Sequence, residues 1–112
     1  MGALKSILMV PRQMKRVMGS GMTDETKELA KLRDQIDAID NELQGLINQR
    51  AACAQRVAEV KQKAANGADV QYYRPEREAQ VLRSVMDRNE GPLPDEDMAK
   101  LFREIMSCCL AL

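Results

Sequence analysis

The stretch "LAKLRDQIDAIDNELQGLINQRAACAQRVAEV", residues 29 to 60, decides the fold. Its apolar positions Leu29, Leu32, Ile36, Ile39, Leu43, Leu46, Cys53, Val57 and Val60 alternate steps of three and four, the period of a helix with a heptad seam. Carried through its one gap, the seam runs for about five heptads, longer than most globular helices. The start signal is Thr23 or Asp24 as N-cap, and the stop is the "NG" at 66 and 67. Such a helix is about 60 Å long, wider than a domain of this size, so it must pack against something just as long.

Outward from the seam, Pro75 suits the first position of a second helix that carries Val81, Leu82, Val85 and Met86 before "NEGP", residues 89 to 92, stops it. A third begins near Asp95 with the stripe Met98, Leu101, Phe102, Ile105, Cys109 and Leu112. No strand pattern, repeat or low-complexity tract appears. The predicted class is all-α, one long helix plus two shorter ones.

A chain of 112 residues makes at most one small domain, with a thin core unless it shares surface with a partner. Seventeen basic and seventeen acidic residues cancel, so no global field draws it to nucleic acid or to a membrane surface. No apolar run is long enough to span a bilayer. The absence of histidine removes the commonest general base and metal ligand. Cys53, Cys108 and Cys109 have neither zinc-ligand nor redox spacing and read as reduced cytosolic thiols, which points to a cytoplasmic protein without a metal centre.

Residues 1–23 hold Lys5, Arg12, Lys15 and Arg16 and no acid, whereas acids begin abruptly in "TDETKE" at 23 to 28. This shift divides an N-terminal arm, or a start earlier than a natural one at Met22, from a domain over 24–112. "MGALKS" also matches the myristoylation pattern, a short motif met often by chance.

Polar residues that interrupt the apolar pattern are the site candidates. Arg50 fills the gap in the seam, where an unpaired guanidinium costs several kcal/mol. Alone, it is equally readable as a register-setting residue or as one whose head snorkels to water. Arg33 and Lys61 each stand one step past a seam residue, where a solvated face is the simpler reading. Arg50 and Lys61 are eleven positions apart, about 16 Å along the axis, so long arms from both can converge on one small molecule. If long helices pair antiparallel about an axis near residues 44 and 45, with Gly45 allowing close approach, a second copy's Arg33 comes level with residue 56.

In "QYYRPERE", residues 71 to 78, Arg77 and Glu78 precede Val81 and Leu82 by one turn, so both point toward the face that this helix buries. Read alone, the pair is equally an ion pair capping the core. Glu78 suits the helix dipole, the free backbone N–H groups from Arg74 to Arg77 offer donors, and the tyrosines pack the turn. Several cations, one carboxylate and no placed nucleophile suit binding of a small polyanion and electrostatic stabilisation of its transition state.

The segments "LRDQIDAIDNEL" (32 to 43), "INQRAACAQRVAEVKQ" (47 to 62), "YRPEREAQVL" (73 to 82) and "LFREIMSCCLAL" (101 to 112) closely resemble the all-helical chorismate mutase family. Within it they are most similar to the amino-terminal domain of bacterial bifunctional chorismate mutase–prephenate dehydratases. The resemblance covers residues 29–112. It implies an intertwined homodimer with antiparallel long helices, and conversion of chorismate, a dicarboxylate, to prephenate by a Claisen rearrangement with no cofactor, in phenylalanine and tyrosine biosynthesis. It further implies that Arg50 and a second copy's Arg33 hold the carboxylates and that Lys61 reaches the ether oxygen. By the same resemblance Glu78 would bind the ring hydroxyl, helped by the backbone N–H near Arg74, and Arg77 would add positive potential.

The chain departs from the family pattern at Arg74, where many members carry aspartate, and at Cys109, where many carry serine, a stronger donor than a thiol. The family's second ether-oxygen donor falls at position 113, past Leu112, as in the front domain of a longer polypeptide. The same fold also serves isochorismate-pyruvate lyases, and the seam alone would suit a non-catalytic helical dimerisation or regulatory module.

Overall fold

The computed structural model describes residues 23–112, and the readings placed on residues 1–22 lie outside it. Three helices follow one another, α1 (Asp24–Ala65), α2 (Pro75–Arg88) and α3 (Asp95–Leu110), and there is no strand among the described residues. The all-α expectation of one long and two shorter helices is what the described residues adopt. The described residues divide into two compact units between Gln44 and Gly45, the second being Gly45–Leu112, and α1 contributes to both.

In the first unit, Thr23 opens α1 as an N-cap: its Oγ1 accepts the Thr26 N–H at 3.1 Å. Asp24 and Glu25 in the first turn meet the positive end of the helix dipole. The seam residues Leu29, Leu32, Ile36, Ile39 and Leu43 are 44% to 61% exposed, so the described residues leave this apolar stripe largely uncovered.

In the second unit, α1 ends where Asn66 turns left-handed at φ 49° and Gly67 follows at φ 90°, conformations that asparagine and glycine adopt with least strain. Pro75 opens α2 with Glu76 and Glu78 in the first turn, and Arg74 stands as its extended N-cap. At the other end of α2, the Asn89 side-chain amide donates at 2.8 Å both to the Leu93 carbonyl and to the Asp95 carboxylate, which fixes the corner from α2 into α3. Helices α2 and α3 pack against each other. Leu82 and Val85 from α2 and Ala99 from α3 are the buried apolar side chains among the described residues, a thin core for a chain of this size. The seam residues Leu46, Val57 and Val60 on this part of α1 remain more than half exposed. Among the described residues no atom crowds the Cβ position of Gly45.

Candidate active site

The second unit holds a cavity of about 890 Å³ bordered by α1, the loop of residues 66–74, α2 and α3. Of the seven residues singled out from the sequence, Arg50, Lys61, Arg74, Arg77, Glu78 and Cys109 line it. Arg33 belongs to the first unit, is exposed and does not line the cavity.

Arg50, at the gap in the seam, is half-buried, and its Nη1 donates to Cys109 Sγ on α3 at 3.6 Å. The sulfur thus accepts from the guanidinium, and a thiol is a weak acceptor, so most of the five guanidinium donors stay available to an anion. Lys61, also half-buried, donates from Nζ to the Gln71 carbonyl at 3.2 Å. One position on, the Gln62 amide donates to Tyr72 Oη at 2.9 Å. Glu78 is half-buried on the first turn of α2. Arg77 is exposed rather than turned inward, because its Nη1 donates to the Gln80 side chain one turn along at 2.7 Å, yet its side chain still borders the cavity. Arg74 Nε meets Glu76 Oε1 at 2.7 Å, so the arginine that stands where an aspartate was expected is engaged in a local ion pair.

Two ionisable groups feel the field around the loop. The phenol of Tyr73 is held above its ordinary value of 10.0, first by the negative charge of Glu78, then by desolvation and by a hydrogen bond to the same carboxylate. The Glu76 carboxyl is lowered, first by a backbone N–H at the helix start and then by the Arg74 side chain.

The sequence reading missed Arg103 and Glu104 of α3 and the side chains of Gln62, Tyr72 and Tyr73, all of which border the cavity. Arg103 had a signal: it precedes Met106 and Leu110 by three and seven positions and so shares their helix face. The tyrosines were expected to pack the turn. They are instead 40% and 50% exposed, with the Tyr72 hydroxyl accepting from Gln62 and the Tyr73 phenol in the field of Glu78. In all, five cationic side chains (Arg50, Lys61, Arg74, Arg77, Arg103) face two carboxylates (Glu78, Glu104) around one cavity, a surplus suited to an anion of more than one charge. No group of three or more His, Cys, Asp or Glu among the described residues is placed to hold a metal ion. No helix among them is long and apolar enough to cross a membrane.

The sequence matches the family model of chorismate mutase type II over residues 32–112, which includes every residue bordering the cavity. The chain belongs to the chorismate mutase type II family. It is 52% identical over 89 residues to a bifunctional chorismate mutase/prephenate dehydratase of Stutzerimonas stutzeri, a match covering 79% of this chain and 24% of that protein. A protein of the same description from Pseudomonas aeruginosa is 55% identical over 86 residues, covering 76% of this chain and 24% of its own length. The chain thus spans about a quarter of the length of these curated relatives. Among solved structures it is similar to the chorismate mutase (form II) of Thermus thermophilus, with a TM-score of 0.70 and 29% identity over 76% of this chain and 92% of the other.

Proposed function

We propose that this chorismate mutase family chain converts chorismate to prephenate as a homodimer in the cytoplasm, with no cofactor. The observation that carries this reading is the convergence of Arg50, Lys61, Arg77 and Glu78 on one cavity with an excess of cations, in a chain whose family match covers all of them. In the rearrangement an ether C–O bond breaks as a C–C bond forms within the same molecule, and no proton or electron passes to the protein. Catalysis is then a matter of holding the reactive chair and opposing the charge that gathers on the ether oxygen.

The Arg50 guanidinium takes one carboxylate in a forked contact that an ammonium would not reproduce. The Lys61 ammonium has three donors, of which the Gln71 carbonyl takes one, leaving two for the ether oxygen and a nearby carboxylate. Glu78 accepts from the ring hydroxyl and so orients the ring, while Arg77 and Arg103 add positive potential at the rim. The second carboxylate goes to the partner subunit's Arg33. That assignment follows from antiparallel pairing of α1 with a second copy, which also covers the exposed seam from Leu29 to Val60.

The test is ligand-linked stability. A dicarboxylate transition-state analogue raises the melting temperature of the protein well beyond a matched monocarboxylate, by mass action on the folded dimer. Equal shifts from the two compounds contradict the dicarboxylate site.

A further inference from the structure

The loop of residues 66–74 is tied to α1 in an unusual way. After the turn at Asn66 and Gly67, residues 69–73 make no backbone–backbone hydrogen bond among the described residues. Two side-chain bonds of identical span, ten positions each, hold this segment instead: Lys61 Nζ to the Gln71 carbonyl at 3.2 Å and Gln62 Nε2 to Tyr72 Oη at 2.9 Å. The donors are neighbours on α1, and the acceptors are neighbours on the loop. Lys61, Gln62 and Tyr72 all border the cavity, whereas the Gln62–Tyr72 bond carries no charge of its own to offer a substrate.

We propose that Tyr72 and Gln62 are positioning residues for Lys61: their hydrogen bond pins the loop to α1 and thereby presents the Gln71 carbonyl that aims the Lys61 ammonium into the cavity. The inference rests on the reading that Lys61 opposes charge at the ether oxygen. A lysine side chain has many rotamers, and an ammonium contributes to a transition state in proportion to how well its direction is set beforehand. Here one donor of the ammonium is fixed by a main-chain acceptor, and that acceptor is fixed by the side-chain bond one residue away. A loop segment without backbone hydrogen bonds has little else to hold it in register. Loss of the tether therefore acts on the rate of the chemical step, which needs the aimed charge, more than on ground-state binding, which the arginines supply.

The experiment compares kcat and KM for chorismate in the parent chain, Tyr72→Phe, Gln62→Leu and their double variant, each also on a Lys61→Ala background. Tyr72→Phe removes one exposed oxygen, and helix content by circular dichroism checks that the fold is retained. Each single variant is expected to lower kcat by about three- to tenfold, the equivalent of one hydrogen bond, with KM changed by less than about twofold. The double variant loses no more than either single one, and on the Lys61→Ala background Tyr72→Phe has no further effect. Gln62→Glu loses the amide donor but offers the phenol O–H a carboxylate acceptor, so the bond re-forms in the opposite direction and most of the rate lost in Gln62→Leu is retained. An active parent that depends on Lys61 but is indifferent to Tyr72→Phe overturns the tether alone, as do additive losses or a loss confined to KM. A parent chain that leaves chorismate unchanged, or that is indifferent to Lys61→Ala, overturns the tether together with the functional reading beneath it.

Discussion

Arg50 and Cys109, 59 positions apart, meet through Nη1 and Sγ at 3.6 Å, joining α1 to α3 within the second unit. The contact places a guanidinium that interrupts an apolar seam beside one of the weakest acceptors a protein has. Its directional capacity is therefore left for a ligand. Arg50→Lys keeps the charge and discards the fork, and is expected to lower kcat/KM for chorismate about 10- to 100-fold in steady-state assays. A fully active Arg50→Lys chain would contradict a forked contact.

Tyr73 and Glu78 give a prediction in pH. The raised phenol favours the protonated form in the folded chain, so its contribution to stability is fully present below the ordinary tyrosine value of 10.0 and is lost as pH rises through the raised one. In a Tyr72→Phe chain, which leaves Tyr73 as the one tyrosine, the near-ultraviolet tyrosinate band should appear only above that ordinary value. Glu78→Gln removes the largest cause and moves the titration down toward it. An unchanged midpoint in the Glu78→Gln chain would show that the two groups do not meet in solution.

The proposed dimer makes each site from two chains, which mixing can test. Arg33→Ala and Lys61→Ala chains are each expected to be nearly inactive. Mixed in equal amounts and allowed to exchange subunits, half of the dimers are hybrids, and each hybrid carries one intact site. Activity should recover to about a quarter of the parent's, since the two defects fall together in the other site. No recovery, with hybrids demonstrated by mass spectrometry, would place Arg33 and Lys61 in the same chain's site.

Much of this architecture was legible because it depends on period. The three-and-four spacing from Leu29 to Val60 and the punctuation at Asn66, Gly67 and Pro75 are local signals, and the helices begin and end where those signals stand. Arg50 was legible as a fault in that period, and Glu78 by its one-turn lead over Leu82. What the sequence withheld depends on side-chain reach. Arg77 shares the spacing of Glu78 by one step, yet a long arginine at a helix start turns along the helix to Gln80 instead of inward. Tyr72 and Tyr73 looked like packing residues because aromatics usually are. Their value here is in the hydroxyls, that of Tyr72 bonded to Gln62 and that of Tyr73 in the field of Glu78, across a loop whose path no periodicity describes. Arg103 was passed over because α3 was read by its apolar stripe alone.

Lys61 stands at the centre of this account, held by the Gln71 carbonyl on the edge of a cation-rich cavity. The most direct measurement is the loss of chorismate absorbance with time, for the parent chain and for Lys61→Ala at equal concentration. The parent should consume chorismate far faster than buffer, and Lys61→Ala should be slower by at least about 100-fold, the usual loss when one preorganised donor to a developing oxyanion is removed. A parent rate no faster than buffer, or a Lys61→Ala rate equal to the parent's, would contradict it.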